Sequence, residues 1–465
     1  MTSLTSTKSQ NNESTNPAYI IGVLDNGAEG VSPATLTLIA EAGVVIGAER
    51  TLALFAKNIS AKAIQHDIAQ GLSKVPVWIS DAQTDDVQVV VLATGDPMCH
   101  GIGRYLINKL GSEHCEVVPN VSTLQLAFSR LGLAWQDAVI ASAHSKDAGE
   151  WTNDAGPEHG LYPVLRSVQN ALLSSPQKKG LIALFTSPEN TPDRIARMLV
   201  SVGLGESFTL SVAEALLTED ENIVRDLPLS EAAAATFANP NVVILQRIEN
   251  ASRRKSGVTE SSLPVFGLAD HTYVQRKPEK GLITKREVRA VSLARLQLHA
   301  DSVVWDIGAG SGSVGLEAAR LCPEGFVFAI EKNPADFAIA EQNRKNMAVS
   351  NYRVQHAKAP ELLASWPDPD AVFFGGSGGE LADLISVCLS RLKPEGWLVM
   401  NFVTLENLAL ATQTLKEKNA QWDVTQLQAS RSQPILHMHR MAAENPVWIV
   451  CAQAQEQAQA QASAE

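Results

Sequence analysis

Apolar and polar positions alternate in blocks over the last third of the chain, and the period changes from block to block. The run SVVWDI at 302–307 is continuous and β-branched, and 314–321 repeats its apolar residues at helical spacing. GFVFAIE at 325–331 is continuous again, and 334–347 returns to the helical period. The same reading predicts strands at 352–357, 370–374, 397–403, 422–429 and 447–451, with helices at 380–392 and 405–418. Strand and helix repeated this way require a mostly parallel sheet covered on both faces, because a parallel neighbour is reached only through a crossover. Ligands of such sheets bind beyond the carboxyl ends of the strands.

The first half follows the same α/β logic less regularly. AYIIGVL at 18–24 opens it, 32–42 is helical, and VQVVVLA at 87–93 is a buried strand running into Thr94-Gly95-Asp96-Pro97. Strands at 116–118, 180–185, 209–213 and 242–245 and helices at 124–131 and 192–202 complete the pattern. So long a segment exceeds one small sheet, and two α/β lobes are expected. Residues 249–263 carry no apolar period and read as a linker, while 1–17 and 452–465 read as solvated tails. Two folded halves follow, 18–248 and 264–451.

Composition changes this picture only at its edges. The 465 residues correspond to about three units of roughly 150 residues each. With 45% hydrophobic and 19% charged residues the chain is globular. No run approaches the roughly 18 apolar residues of a membrane span, and residues 1–17 lack the apolar core of a signal peptide, so a cytoplasmic protein without membrane contact is expected. A net charge of −12, from 38 basic and 50 acidic residues, argues against nucleic acid as a partner. The five cysteines (Cys99, Cys115, Cys322, Cys388 and Cys451) are scattered and read as buried thiols. No metal site is expected, since His437 and His439 lack a third ligand at workable spacing. His100 reads as structural and Trp305 as core.

Chemistry concentrates where the 302–307 strand ends. Asp306-Ile-Gly308-Ala-Gly310-Ser-Gly312 joins that strand to a helix, and Glu331 ends the next strand. Glycines there let the backbone turn and approach a ligand, and a carboxylate one strand over is placed to accept both hydroxyls of a ribose. A dinucleotide fingerprint is G-x-G-x-x-G, whereas the spacing here is G-x-G-x-G behind an acidic residue. Asp306 would repel a diphosphate but suits the cationic amino-acid end of S-adenosylmethionine, which is favoured over NAD.

At this point a resemblance is specific. The Asp306–Gly312 loop, Glu331, Thr284-Lys285-Arg286-Glu287-Val288-Arg289, the Gly375-Gly376-Ser377-Gly378-Gly379 run, Ser430-Arg431-Ser432 and Asn445-Pro446-Val447-Trp448 together resemble the decarboxylating precorrin methyltransferases of cobalamin biosynthesis. In the first half, Gly47-Ala-Glu-Arg50, Gly95-Asp96-Pro97, Val118-Pro-Asn-Val-Ser122-Thr123, Trp135-Gln-Asp137 and Glu189-Asn-Thr-Pro192 resemble the precorrin carbon 5 methyltransferases of the tetrapyrrole methylase fold. One departure is visible. Where that family runs from its first strand into G-x-G-P-G, this chain reads Gly22-Val-Leu-Asp-Asn-Gly27.

The resemblance implies a two-lobed tetrapyrrole methylase followed by a Rossmann-like, seven-stranded class I methyltransferase. Together they would methylate a precorrin at carbons 5 and 15 and remove the carboxyl group of the carbon 12 acetate. It implies S-adenosyl-L-methionine as cofactor, a tetrapyrrole as the small-molecule partner and a homo-oligomer. Cofactor-binding positions would be Asp306, Gly308, Gly310, Gly312, Glu331 and Ala359 in the second half, and Gly95, Asp96, Ser122 and Thr123 in the first. Substrate-binding positions would be Thr284, Lys285, Arg286, Gly375, Gly376, Ser377 and Arg431, with no catalytic side chain singled out. The basic stretch from Arg276 to Arg289, with six cations against two anions, suits a polycarboxylate despite the acidic balance of the chain. Two rival readings stay open. One is a nucleotide-dependent oxidoreductase; the other is a chain whose altered 22–27 loop leaves only the second half active.

Overall fold

The computed structural model describes residues 16–144, 147, 149–152, 155–173, 180–248, 263–276, 283–376 and 380–454. Nearly all of the 249–263 linker and most of both tails therefore lie outside the described residues. So do Ser377 and, within the basic stretch, Lys277 and Lys280.

Three sheets carry the architecture. The first contains β1 (Ala18–Val23), β2 (Val44–Gly47), β3 (Ile64–Asp67), β4 (Val89–Thr94) and β5 (Cys115–Val118), all parallel in the order β3-β2-β4-β1-β5. The second contains β6 (Val139–Ser142), β7 (Leu181–Phe185), β8 (Phe208–Glu214), β9 (Asn222–Pro228) and β10 (Asn241–Arg247), in the mixed order β6-β7-β10-β8-β9. These are the two lobes that the strand pattern predicts. The pattern misses β2, β3, β6 and β9: β2 and β6 are four-residue strands, while β3 and β9 are half-exposed edges with little apolar signal.

The second half forms the third sheet. It contains β11 (Val303–Ile307), β12 (Phe326–Glu331), β13 (Tyr352–His356), β14 (Ala371–Phe374), β15 (Trp397–Phe402) and β16 (Gln421–Leu427), while β17 (Ser430–Ile435) and β18 (Met438–Ala443) form a separate hairpin. β19 (Val447–Gln453) closes the set and runs antiparallel between β15 and β16 in the seven-stranded order β13-β12-β11-β14-β15-β19-β16. Every strand and helix boundary read from periodicity here lies within two residues of the observed one, because each central strand is buried on both faces and so carries an uninterrupted apolar run. Trp305 is fully buried, and its indole N–H donates to the Pro367 carbonyl at 3.0 Å. The periodicity does not predict the hairpin: its two strands are mostly exposed and carry little apolar pattern, and Arg431 sits on β17, outside the main sheet.

Local signals explain why helices start where the site needs them. Asn333 caps the helix Pro334–Asn346 by accepting from Ala335 N at 3.0 Å, and Pro334 occupies the first turn, where its missing N–H costs nothing. Ser122 and Gln125 form a capping box at the helix Thr123–Leu131, which ends on left-handed Gly132. The two halves also touch. Tyr162 packs edge-on against Phe326 with ring centroids 5.8 Å apart, Arg353 donates to Glu158 at 2.9 Å, and Gln169 donates to the Ala348 carbonyl at 3.2 Å. Among the described residues, no helix is long and apolar enough to cross a membrane.

Candidate active site

A cleft of about 690 Å³ opens at the carboxyl ends of the third sheet. Gly308 and Gly310 follow β11 into it, Glu331 ends β12 there, and Ala357–Ala359 follow β13. Gly375 and Gly376 follow β14, Asn401 lies near the end of β15, and Thr284 and Lys285 come from across the cleft. Eight of the positions read from sequence are thereby brought together: Gly308, Gly310, Glu331, Ala359, Thr284, Lys285, Gly375 and Gly376.

Backbone geometry demands the glycines. Gly308, Gly310 and Gly312 have φ of +74°, +56° and +77°, a region that side chains disfavour. A Cβ on Gly308 would stand 2.8 Å from the Gly376 carbonyl oxygen, and one on Gly375 would stand 2.7 Å from the Gly308 carbonyl oxygen. The two loops therefore lie back to back, each requiring the other to lack a side chain. Glu331 holds this arrangement: Oε2 accepts from Gly310 N and Oε1 from Asn333 N, both at 2.8 Å. A carboxylate oxygen carries two lone pairs, so each retains one for a ligand in the cleft.

Asp306 does not line the cleft. It is 1% exposed behind the loop, where Oδ2 accepts from Gly315 N at 3.1 Å and Oδ1 has no hydrogen-bond partner among the described residues. Burial, with the Glu331 charge adding to it, pushes its carboxyl group up to about 7. Gly312 is likewise outside the cleft, capping the helix Ser313–Leu321; a Cβ there would meet the Tyr352 hydroxyl at 3.0 Å. Tyr352 is buried as well, and desolvation raises its hydroxyl well above the ordinary range.

The basic stretch is divided by the fold. Arg289, the last cation of that stretch, is fully buried. Its Nε donates to Glu317 at 2.7 Å and its Nη1 to the Thr284 carbonyl at 2.6 Å, while its guanidinium lies 4.9 Å from the Tyr273 ring centroid. It is a scaffold holding Thr284 and Lys285 at the rim. Arg276 pairs with Asp336 at 2.6 Å on the cleft wall, and Arg286 is half-exposed beside Glu287 at 3.5 Å. Arg431 is bound by Glu287 and by Asp270 at 2.8 Å, with Glu444 at 3.9 Å. Its pKa rises through its hydrogen bonds to Glu287 and Asp270. Its guanidinium thus neutralises two carboxylates, Glu287 and Glu444, that line the cleft.

In the first half the four positions read from sequence as cofactor-binding also converge. Gly95, with φ of +72°, turns after β4, and a Cβ on it would meet Thr123 N at 3.4 Å and the Ser122 Cα at 3.6 Å. Asp96 Oδ1 accepts from Met98 N at 2.8 Å and shapes the turn. A Cβ on Gly22 would overlap the Gly95 carbonyl oxygen, so these strand ends touch directly. The departure at 22–27 leads into a short helical turn, Gly27–Gly30, tied down by Asn120, whose amide donates to the Gly22 and Gly30 carbonyls at 3.1 and 3.0 Å. His100 packs against Phe185 with ring centroids 5.7 Å apart.

Asn401, Asn333, Asp336 and Glu444 were not singled out from sequence, although all line the cleft. Only Asn333, as an Asn-Pro helix start, carries a local signal.

A seven-stranded sheet of this order, with a glycine loop after its first strand and an acid ending the second, defines a class I methyltransferase half. Residues 278–453 match the family described as precorrin methyltransferase domain, and residues 18–233 match the tetrapyrrole (corrin/porphyrin) methylases. A precorrin-6Y C(5,15)-methyltransferase (decarboxylating) of a Sinorhizobium species is 33% identical over 387 residues, 83% of this chain and 84% of its own. The chain belongs to the precorrin-6Y C(5,15)-methyltransferase (decarboxylating) family. A cobalt-precorrin-6B C(15)-methyltransferase (decarboxylating) of Salmonella typhimurium is 41% identical over 175 residues, 37% of this chain and 90% of its own. The crystal structure of a precorrin-6y C5,15-methyltransferase from Geobacter metallireducens GS-15 has 41% identity, covers 41% of this chain and 98% of its own, and gives a TM-score of 0.39.

Proposed function

We propose that the chain methylates a precorrin at carbons 5 and 15 with S-adenosylmethionine as donor and releases the carbon 12 acetate carboxyl group as carbon dioxide. The segment 18–248 serves carbon 5, and 264–451 serves carbon 15 and the decarboxylation. The observation that carries this reading is Glu331: a carboxylate on the cleft floor, with a spare lone pair on each oxygen, beside a backbone loop stripped of side chains. Those acceptors fit the two hydroxyls of a ribose diol.

S-adenosylmethionine, when bound, supplies an electrophilic methyl group on a cationic sulfur. The residues of the chain then align and shield, since displacement at carbon needs orientation and exclusion of water rather than a nucleophilic side chain. Glu331 would hold the ribose, and Gly308 and Gly310 would allow close approach of the methionine portion. Ala359 would line the adenine, and Asp306 and Gly312 would set the loop from behind. Gly95, Ser122 and Thr123 would do the corresponding work in the first half, with Asp96 shaping the turn. Thr284, Lys285 and Arg286 would receive substrate carboxylates together with Gly375, Gly376 and Ser377. Arg431 would act chiefly by cancelling the charge of Glu287 and Glu444, which would otherwise repel a polyanion.

Incubation with a defined precorrin and labelled S-adenosylmethionine, counting methyl groups gained and carbon dioxide lost by mass spectrometry, tests the reading. Two methyl groups and one carbon dioxide are expected. One methyl group with carbon dioxide release would mean that only the second half is active.

A further inference from the structure

Most polar side chains on the cleft wall are already engaged. Arg276 and Asp336 pair with each other, Lys358 pairs with Glu380, Glu287 with Arg431, and the Asn333 carbonyl caps a helix. Asn401 differs. It lies near the carboxyl end of β15, three strands along the sheet from Glu331, on the side bounded by Thr284, Lys285 and Gly376. Its amide is held from behind by Ser292, fully buried on the helix Arg286–Arg295: Nδ2 donates to the serine Oγ at 2.9 Å, and Oγ lies 3.1 Å from Oδ1. Ser292 Oγ itself donates to the Val288 carbonyl at 2.8 Å. Oγ is also within donating distance of Oδ1, so both polar atoms of the amide face the serine and Asn401 keeps one N–H, in a fixed orientation, for the cleft.

Resting on the reading of this cleft as the decarboxylating site, we propose that the Asn401 amide donates a hydrogen bond to the ring nitrogen of the tetrapyrrole that receives electrons during decarboxylation. In that step the bond between the acetate methylene and its carboxylate carbon breaks and carbon dioxide leaves. The electron pair passes through the conjugated ring to the nitrogen. One proton from solvent is then taken up at the methylene carbon, giving a methyl group. The hydrogen bond strengthens as the nitrogen gains electron density, so it favours the transition state over the bound substrate. A neutral amide suits the position, because a cationic donor would be drawn to the substrate's carboxylates instead of its ring. Ser292 is a positioning residue.

The test uses the full chain, a defined precorrin and S-adenosylmethionine. Asn401→Leu keeps the bulk and removes the donor without adding charge to the cleft. Carbon dioxide release should fall on the order of 100-fold, with precorrin KM and donor Kd within about twofold of the parent. A methylated product still carrying its carboxylate should accumulate. Ser292→Ala, which frees the amide to rotate, should lower carbon dioxide release by roughly three- to tenfold. Undiminished release by Asn401→Leu overturns the proposal. If that variant loses donor binding or its thermal transition, undiminished release by Ser292→Ala overturns it instead. A parent protein that gains methyl groups but never releases carbon dioxide overturns the underlying reading, a distinct result.

Discussion

At the strand ends of the second half, Gly308, Gly310 and Gly312 are held by a carboxylate, Glu331, with a second carboxylate, Asp306, buried behind them. At those of the first half, Gly95 is held by neutral groups: its N–H donates to the Val23 carbonyl at 2.7 Å, and it rests against the Ser122 capping box while Asn120 ties down the facing loop. Both halves thus bring a bare backbone to the end of a parallel sheet, one braced by buried carboxylates and the other by backbone and neutral side chains, with Asp96 shaping its turn. The charged version leaves Asp306 with its carboxyl pKa pushed up to about 7 by burial. One chain therefore carries two sites that should respond differently to the same perturbation.

The largest expected effect separates the halves by stability. Arg289→Met leaves Glu317, itself fully buried, without its cation, which should cost about 3–5 kcal/mol. Calorimetry should show the second-half transition falling while the first-half transition stays. A single transition that moves as a whole would instead mean that the Tyr162–Phe326 and Arg353–Glu158 contacts fuse the halves into one cooperative unit.

Next is pH. Asp306 has its folded pKa raised from 3.8 to about 7, so the folded state binds more protons than the unfolded state between those values. Stability of the second half should fall as pH rises through that window, by on the order of 4 kcal/mol, and stay low above it. Asp306→Asn, which can still accept from Gly315 N, should flatten that profile; a slope that persists would place the titrating group elsewhere.

Paired glycine substitutions sharpen the functional contrast. Gly308→Ala should lower carbon dioxide release on the order of 100-fold and spare methylation at carbon 5, and Gly22→Ala should do the reverse. Loss of both activities in either variant would break the assignment of one site to each half. Smallest is Glu331→Ala, expected to weaken S-adenosylmethionine binding in the second half by about 1–3 kcal/mol. Calorimetric titration should find the first-half affinity unchanged.

Legibility differed between the halves for a physical reason. Central strands of the third sheet are buried on both faces and alternate with short helices, so their boundaries could be read residue by residue. β3 and β9 are edges whose burial is set by neighbours distant in sequence, and they carry little pattern. The same holds within the site. Glycines and the strand-terminal Glu331 announce themselves because backbone geometry demands them. Asn401 does not, because its significance comes from Ser292, 109 residues away.

By itself the sequence determined the alternation of strand and helix, the position of the glycine loop and its acid, and the family, since these depend on local period and residue type. Tertiary structure alone decided how charge is used. It spent Arg431 on the cleft's own carboxylates and moved Asp306 behind the loop, turning two expected ligand contacts into supports, and it buried Arg289 of the basic stretch against Glu317. Net charge and spacing count ionised side chains; only packing tells which of them already have a partner.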